Sequence, residues 1–240
     1  MWPLANHEPF GAQGPCYANM NILVTSPKVF DGIITHPAVL PLARRLLGPT
    51  LTFEEFSVTV REPIEEPQPN GVKQQAWHRD DCHLLGHPLL LRSLSVVVYL
   101  TDVLDATGHT FSIVPESLEK KRGLPGVGDR EAEEAWESDP ALAGPDPAAQ
   151  ANAEGSAVDV LGKAGTAIFF HTGNIHAGTV RQTAKPRHSI HLYYGLADEP
   201  PLSDRLTAIP TRLSQSADPE LRRLFSKKNE ITKLFEDNFT

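Results

Sequence analysis

Apolar and polar positions change their period twice along this chain. Ser26-Pro27 pairs a cap residue with a proline suited to the first helical turn. Apolar residues then recur at Val29, Phe30, Ile33 and Ile34, the spacing of one helix face. A second helix is predicted from His36-Pro37, with Val39, Leu40, Leu42, Leu46 and Leu47 as its apolar positions and Gly48-Pro49 as its stop. From Leu51 the period drops to two. Phe53, Glu55, Ser57 and Thr59 alternate with Thr52, Glu54, Phe56, Val58 and Val60, which predicts a strand. Pro63 to Gly71 reads as a loop.

Further strands are predicted at Leu94 to Leu100, rich in β-branched residues, and at Phe111 to Val114 after the turn Ala106-Thr107-Gly108. Two more follow at Thr166 to Phe170 and His188 to Tyr194. Lys120 to Gly155 is rich in Pro, Gly, Ala and acidic residues without periodicity, so a surface insertion at about 120–155 is expected, a lid by its length. The tail, Asp218 to Phe239, predicts a helix with Leu221, Leu224, Phe225, Ile231, Leu234 and Phe235 as its stripe. Strands in the middle and helices at both ends predict a mainly β fold with flanking α-helices, a β-sandwich or jelly roll.

Bulk properties narrow the function. At 240 residues, 1–240 is expected to form one domain. No apolar run approaches the ~20 residues of a bilayer span, and Met1 to Phe10 lacks a secretory pattern, so a cytoplasmic protein without a membrane partner is expected. Cys16 and Cys82 alone make no disulfide framework. A net charge of −8 without a Lys/Arg cluster gives a nucleic-acid partner no electrostatic support. Ten histidines prompt a search for metal ligands.

Within Trp77-His78-Arg79-Asp80, the His and Asp are two apart, which on a strand places both on one face. An imidazole and a carboxylate are two thirds of a facial triad. With ten His and 30 acidic residues, about one such pair arises by chance, so the pair needs support elsewhere. That support is the strand ending at Phe170, a turn at Thr172 to Asn174, then His176, and Arg187 eleven residues later. A hairpin turning through Gln182 to Pro186, with Arg187 opposite Val180, would place His176, Val180 and Arg187 on one face. The arginine would then lie about 13 Å deeper than the histidine, a gap suited to a five-carbon dicarboxylate gripped by the guanidinium fork. Ser189 shares that parity, and His191 would fall opposite His176. Alternatives stay open. Asp81 and His83 form a mirror D-x-H pattern, and His171 competes with His176. Trp77 would line the cavity or cover the barrel mouth. Arg61, at a strand end, is expected in a surface salt bridge, with a role in positioning cosubstrate or substrate as the alternative.

From about Val29 to Tyr194 the chain resembles the phytanoyl-CoA dioxygenase family of iron(II)/2-oxoglutarate oxygenases. The likeness rests on Trp77-His78-Arg79-Asp80, Thr107-Gly108 through Val114-Pro115-Glu116-Ser117, Gly165 through Phe170, His176 and Arg187, in that order and spacing. It implies a double-stranded β-helix, a cupin-like jelly roll, in which His78, Asp80 and His176 ligate Fe(II) and Arg187 binds the distal carboxylate of 2-oxoglutarate. It also implies O2-dependent oxidation of an unactivated C–H bond in a small-molecule substrate, most simply hydroxylation, with 2-oxoglutarate decarboxylated to succinate. Related halogenases lack the carboxylate, so Asp80 favours oxygenation. Glu116 replaces the family's glycine and Leu118 its histidine. Gly178 stands where a serine often helps hold the cosubstrate, leaving Thr179 or Ser189 as substitutes. The strand and helix that usually open the family's fold have no counterpart in this reading. Two other classes remain: a cupin-type isomerase or dioxygenase without 2-oxoglutarate, and a non-catalytic jelly-roll binding protein.

Overall fold

The computed structural model describes residues 8–9, 16–19, 22–26, 28–64, 77, 80, 93–117, 155–179, 183–198, 207–227 and 232–233. Their strands are β1 (Glu8–Pro9), β2 (Cys16–Asn19), β3 (Leu51–Arg61), β4 (Ser93–Tyr99), β5 (Phe111–Ile113), β6 (Val158–Val160), β7 (Ala167–His171), β8 (His176–Gly178) and β9 (Arg187–Leu196). A six-stranded sheet runs β1-β2-β3-β9-β4-β7 and a three-stranded sheet runs β6-β5-β8. Every neighbouring pair is antiparallel. The helices are α1 (Ile22–Thr25), α2 (Asp31–Ile34), α3 (Leu40–Leu47), α4 (Thr211–Ser214) and α5 (Pro219–Leu224).

One face of the large sheet is closed by these helices. Leu94, Val96, Ile190, Leu192, Tyr194, Phe53 and Phe56 pack there against Ile34, Leu40, Ala43, Leu47, Leu213, Leu224 and Phe225. Each fully buried side chain of this size stabilises the fold by about 1.5–3 kcal/mol. The Tyr194 hydroxyl donates to the Ile34 carbonyl at 2.6 Å, so its polar tip is satisfied inside the core. Arg212 of α4 grips Asp31 of α2 with two bonds of 2.6 and 2.8 Å. A second cluster, Val97, Tyr99, Val103, Phe111 and Phe170, fills the space between the two sheets. The continuous apolar run of β4 is therefore buried on both faces.

Several expectations need correction. The helix predicted from Ser26-Pro27 starts only at Asp31, as α2, because residues 28–30 form a turn with Lys28 at φ 69°. In α3 the helix begins at Leu40 and ends, as expected, at Gly48, whose φ of 99° suits a residue without a Cβ. The alternation in β3 is interrupted by a bulge between Phe53 and Glu55. Phe53 thus joins Phe56 in the helix-side core, whereas Glu55, Ser57, Thr59 and Arg61 face the other way. Two strands precede the helices after all: β2 pairs with β3 and β1 with β2. The predicted tail helix is interrupted: α5, capped by Asp218 accepting from the Glu220 amide at 2.8 Å, ends at Leu224. Thr232 and Lys233 are helical again, and the rest beyond Lys227 lies outside the described residues. The insertion at about 120–155 lies outside the described residues, apart from Gly155.

Most consequential is the pairing of β8. It joins β5, with Ile113 opposite His176, while β9 joins β3 and β4, with Arg61 opposite Arg187. The predicted hairpin between His176 and Arg187 does not form; the chain crosses between sheets, as a jelly roll requires. His191 accordingly lies opposite Ser57 and Val97, not His176.

Candidate metal and anion site

The smaller sheet positions His176. Its ring packs against Phe111 and Phe170, with centroids 5.5 and 4.7 Å away. Its Nδ1 lies 2.9 Å from the Asn174 carbonyl and donates there, which leaves Nε2 as the nitrogen that can present a lone pair to a metal. The turn holding Asn174 is itself tied to the Val114–Ser117 segment. Ser117 Oγ accepts from the Ile175 amide at 2.8 Å and donates to the Val114 carbonyl, while Asn174 Nδ2 donates to the Pro115 carbonyl at 3.2 Å. These contacts give the Val114-Pro115-Glu116-Ser117 piece a physical role: it fixes the turn that aims His176.

Asp80 reaches the same point from a distant part of the chain. Its amide donates to the Thr172 carbonyl at 2.9 Å, and its Oδ2 stands 3.4 Å from His176 Nε2. Tyr193 of β9 donates to that oxygen at 2.9 Å. The His176 and Asp80 side chains are only 6% and 4% exposed. A nitrogen and a carboxylate facing each other in such burial are held together by a proton or a metal ion between them. The donor set, one imidazole nitrogen and one carboxylate whose facing oxygen is oriented by a phenol, fits a divalent metal. His78, the third expected ligand, lies outside the described residues. Among those residues no three ligating side chains gather.

The inner face of β9 continues the site. Alternation places Arg187, Ser189, His191 and Tyr193 on the side of Asp80, and Ile190, Leu192 and Tyr194 on the helix side. Opposite them on β3 stand Arg61, Thr59, Ser57 and Glu55. Arg187 is 2% exposed and Ser189 fully buried, with Ser189 Oγ 3.3 Å from His191 Nε2. Burial chiefly, with the charge of Arg187 next, pushes the His191 pKa down to about 3; Asp80 opposes this, and Arg61 and His176 add to it. His191 is therefore neutral near pH 7. Tyr99, beside Ser189 on β4, has its phenol pKa raised by burial and drawn back by Arg187.

The remaining residues fall elsewhere. Thr179, just past β8, sits on the other face from His176, its hydroxyl against Ser112. His171 shares the face of Leu94 on the helix side and accepts the Gly173 amide at 2.9 Å, which removes it from the position of His176. Asp81 and His83 lie outside the described residues. Trp77 packs on Val114, Ile175 and Ala177, behind the sheet that carries His176. Neither Trp77 nor Asp80 belongs to a strand, so the bond of the Asp80 amide to Thr172, and not strand parity, brings Asp80 to the site. Arg61, expected at the surface, is 5% exposed. Sequence reasoning missed Tyr193 and Asn174; the parity of Tyr193 with Arg187 was its available signal.

A family profile for phytanoyl-CoA dioxygenase (PhyH) matches residues 12–189. No curated protein matches the chain. Among solved structures, the fold is similar to the non-heme alpha ketoglutarate dependent epimerase SnoN from nogalamycin biosynthesis, at 22% identity and a TM-score of 0.53, covering 78% of this chain and 63% of that one. HygX from Streptomyces hygroscopicus, solved with nickel and 2-oxoglutarate bound, aligns at 16% identity and a TM-score of 0.55, covering 81% and 74%. The carbocyclase SnoK, also from nogalamycin biosynthesis, aligns at 22% identity and a TM-score of 0.53, covering 76% and 64%. The chain thus spans less than two thirds of the length of SnoN and SnoK.

Proposed function

Because the chain belongs to the phytanoyl-CoA dioxygenase family, we propose that it is an Fe(II)/2-oxoglutarate-dependent dioxygenase that hydroxylates an unactivated C–H bond of a small molecule. His78, Asp80 and His176 would hold the iron, and Arg187 with Ser189 would hold the distal carboxylate of 2-oxoglutarate. The observation that carries this reading is the buried His176–Asp80 pair, 3.4 Å apart with Nε2 turned toward the carboxylate. A proton or a metal ion between the two groups makes that arrangement favourable, and the family of the chain favours the metal. The nickel and 2-oxoglutarate bound to HygX are in keeping with it.

Bound iron, with 2-oxoglutarate and O2, supplies an oxidant strong enough to take hydrogen from an unactivated carbon. The chain's own residues do the rest. Tyr193 fixes the Asp80 carboxylate by donating to Oδ2. Phe111 and Phe170 wall the imidazole of His176 with apolar rings, which keeps water from that side and holds the ring plane. The Arg187 guanidinium offers a planar fork to a carboxylate, and the Ser189 hydroxyl lies on the same face. His191 borders this region as a neutral imidazole, so it can hydrogen-bond without adding charge. SnoN and SnoK are an epimerase and a carbocyclase, so fold likeness leaves the outcome open; the carboxylate at Asp80 favours oxygenation over halogenation.

Succinate release tests the reading. The purified chain with Fe(II), 2-oxoglutarate and O2 is expected to form succinate slowly without substrate, and Asp80→Ala is expected to abolish it. Tight iron binding with no succinate under any condition would sink the proposal and favour a cupin-type metal enzyme.

A further inference from the structure

We infer that Arg61 is a second cosubstrate-anchoring residue: Arg61 and Arg187 form one two-guanidinium seat that holds the distal carboxylate of 2-oxoglutarate. The inference rests on the function proposed above and names a residue which that reading leaves unused.

Three observations carry it. Arg61 closes β3 and Arg187 opens β9, directly opposite each other in register. Residues so paired send their side chains to one face with Cβ atoms about 5 Å apart. That face is the one on which Tyr193, farther along β9, touches Asp80. Both arginines are nearly inaccessible, at 5% and 2%. Like charges placed directly opposite destabilise a sheet, and an anion held between two guanidinium groups relieves that repulsion. Finally, both charges act on His191, which also feels Asp80 and His176. The imidazole therefore lies between the metal-binding end of the row and the arginine end.

The chemistry selects the ligand. A carboxylate has about four lone-pair sites and each arginine five N–H donors, so one fork can bind end-on while the second donates from the side. A carboxylate carries one negative charge, so one fork neutralises it. The second guanidinium adds hydrogen bonds from the side, while the anion screens the two like charges from each other. The pair stands six residues along β9 from Tyr193, at the end of the pocket away from the metal ligands. A 2-oxo acid that chelates metal through its head would place its tail carboxylate toward that end.

The experiment is calorimetric titration of the full chain loaded with Ni(II), which binds cosubstrate without turnover. Two acids are compared: 2-oxoglutarate, and 2-oxobutyrate, which keeps the chelating head but lacks the distal carboxylate. Arg61→Gln is expected to weaken 2-oxoglutarate by about 10- to 100-fold and to leave 2-oxobutyrate within about twofold. Arg187→Gln should show the same selectivity, and Arg61→Lys an intermediate loss. If Arg187→Gln loses 2-oxoglutarate selectively while Arg61→Gln changes neither acid, or both equally, the Arg61 inference fails and the dioxygenase reading stands. If neither variant discriminates between the acids, the dioxygenase reading fails and takes this inference with it. Should Arg61→Gln not fold, as judged by circular dichroism, Arg61→Lys decides: wild-type affinity for both acids overturns the inference, and a selective loss of threefold or more for 2-oxoglutarate supports it.

Discussion

Strand β9 presents two unlike faces to two unlike surroundings. Toward the helices it sends Ile190, Leu192 and Tyr194, each at most 1% exposed and surrounded by apolar side chains. Toward the smaller sheet it sends Arg187, Ser189, His191 and Tyr193, whose neighbours across β3 are Arg61, Thr59, Ser57 and Glu55. The first face is held by area removed from water, which is non-directional and tolerant of exchange among similar shapes. The second face is polar, and its burial is favourable only where donors, acceptors and charges meet partners. One strand therefore does two jobs, and the separation predicts that substitutions one residue apart will affect different measurements.

The largest effect is expected at the metal end. His176→Ala removes the imidazole that faces Asp80, so iron-dependent succinate formation should fall by more than about a hundredfold. The melting transition of the metal-free chain should change far less, because the ring contacts described for it, with Phe111 and Phe170, belong to the small inter-sheet cluster and not to the helix-side core. A variant that loses folding and activity together would break the separation drawn here. On the helix side, Leu192→Ala should cost about 2–5 kcal/mol of stability by denaturant unfolding, from lost burial and the cavity left behind. Folded Leu192→Ala is expected to keep nearly full nickel affinity. Loss of metal binding by the folded variant would mean the two faces are mechanically coupled.

How far each face was legible in the sequence follows from what periodicity can record. The strands at Leu94 to Leu100, Thr166 to Phe170 and His188 to Tyr194 sit within two residues of β4, β7 and β9, because β-branched and aromatic runs announce a half- or fully buried strand locally. In β3 the alternation was visible but its phase was not. One unpaired residue at the Phe53/Glu55 bulge moves Phe53 to the helix side, and no local pattern marks such an insertion. The pairing of β8 was read from nearness along the chain, whereas Ile113 opposite His176 joins segments more than sixty residues apart. Arg187 was placed by spacing and family likeness, so its burial survived the wrong hairpin. Arg61 was misread as a surface residue because burial at a strand end depends on which strand lies opposite.

Tyr193→Phe sharpens the comparison at a single oxygen. The substitution keeps the ring and deletes the donor to Asp80 Oδ2. Residues that orient a metal ligand typically matter by 10- to 100-fold in affinity, so nickel binding should weaken in that range while stability of the metal-free chain changes by under about 1 kcal/mol. The matching change one residue on, Tyr194→Phe, removes the bond to the Ile34 carbonyl and should do the reverse, costing about 1 kcal/mol of stability with metal affinity unchanged. Equal effects of the two variants on metal affinity would refute the assignment of faces.

The smallest expected effect is a pH dependence at His191. Its pKa is about 3 in the folded chain against an ordinary value of 6.5, first because burial disfavours the imidazolium and next because Arg187 repels it. Above pH 6.5 both folded and unfolded chains carry a neutral imidazole, and the residue adds no pH dependence. Below 6.5 the unfolded chain takes up a proton that the folded chain refuses until about pH 3, so stability falls as pH falls through that window. The slope is at most about 1.4 kcal/mol per pH unit, which amounts to at most about 2 kcal/mol between pH 6.5 and 5. His191→Gln has no such proton to take up. Urea unfolding of the metal-free wild type and variant at pH 7.5 and pH 5 isolates the term, because Asp80, His176 and the other groups titrate in both. The wild type should lose more stability than the variant on acidification. Parallel losses would mean that the inner face of β9 solvates His191 as water does, and that the arginines opposite one another are screened from it.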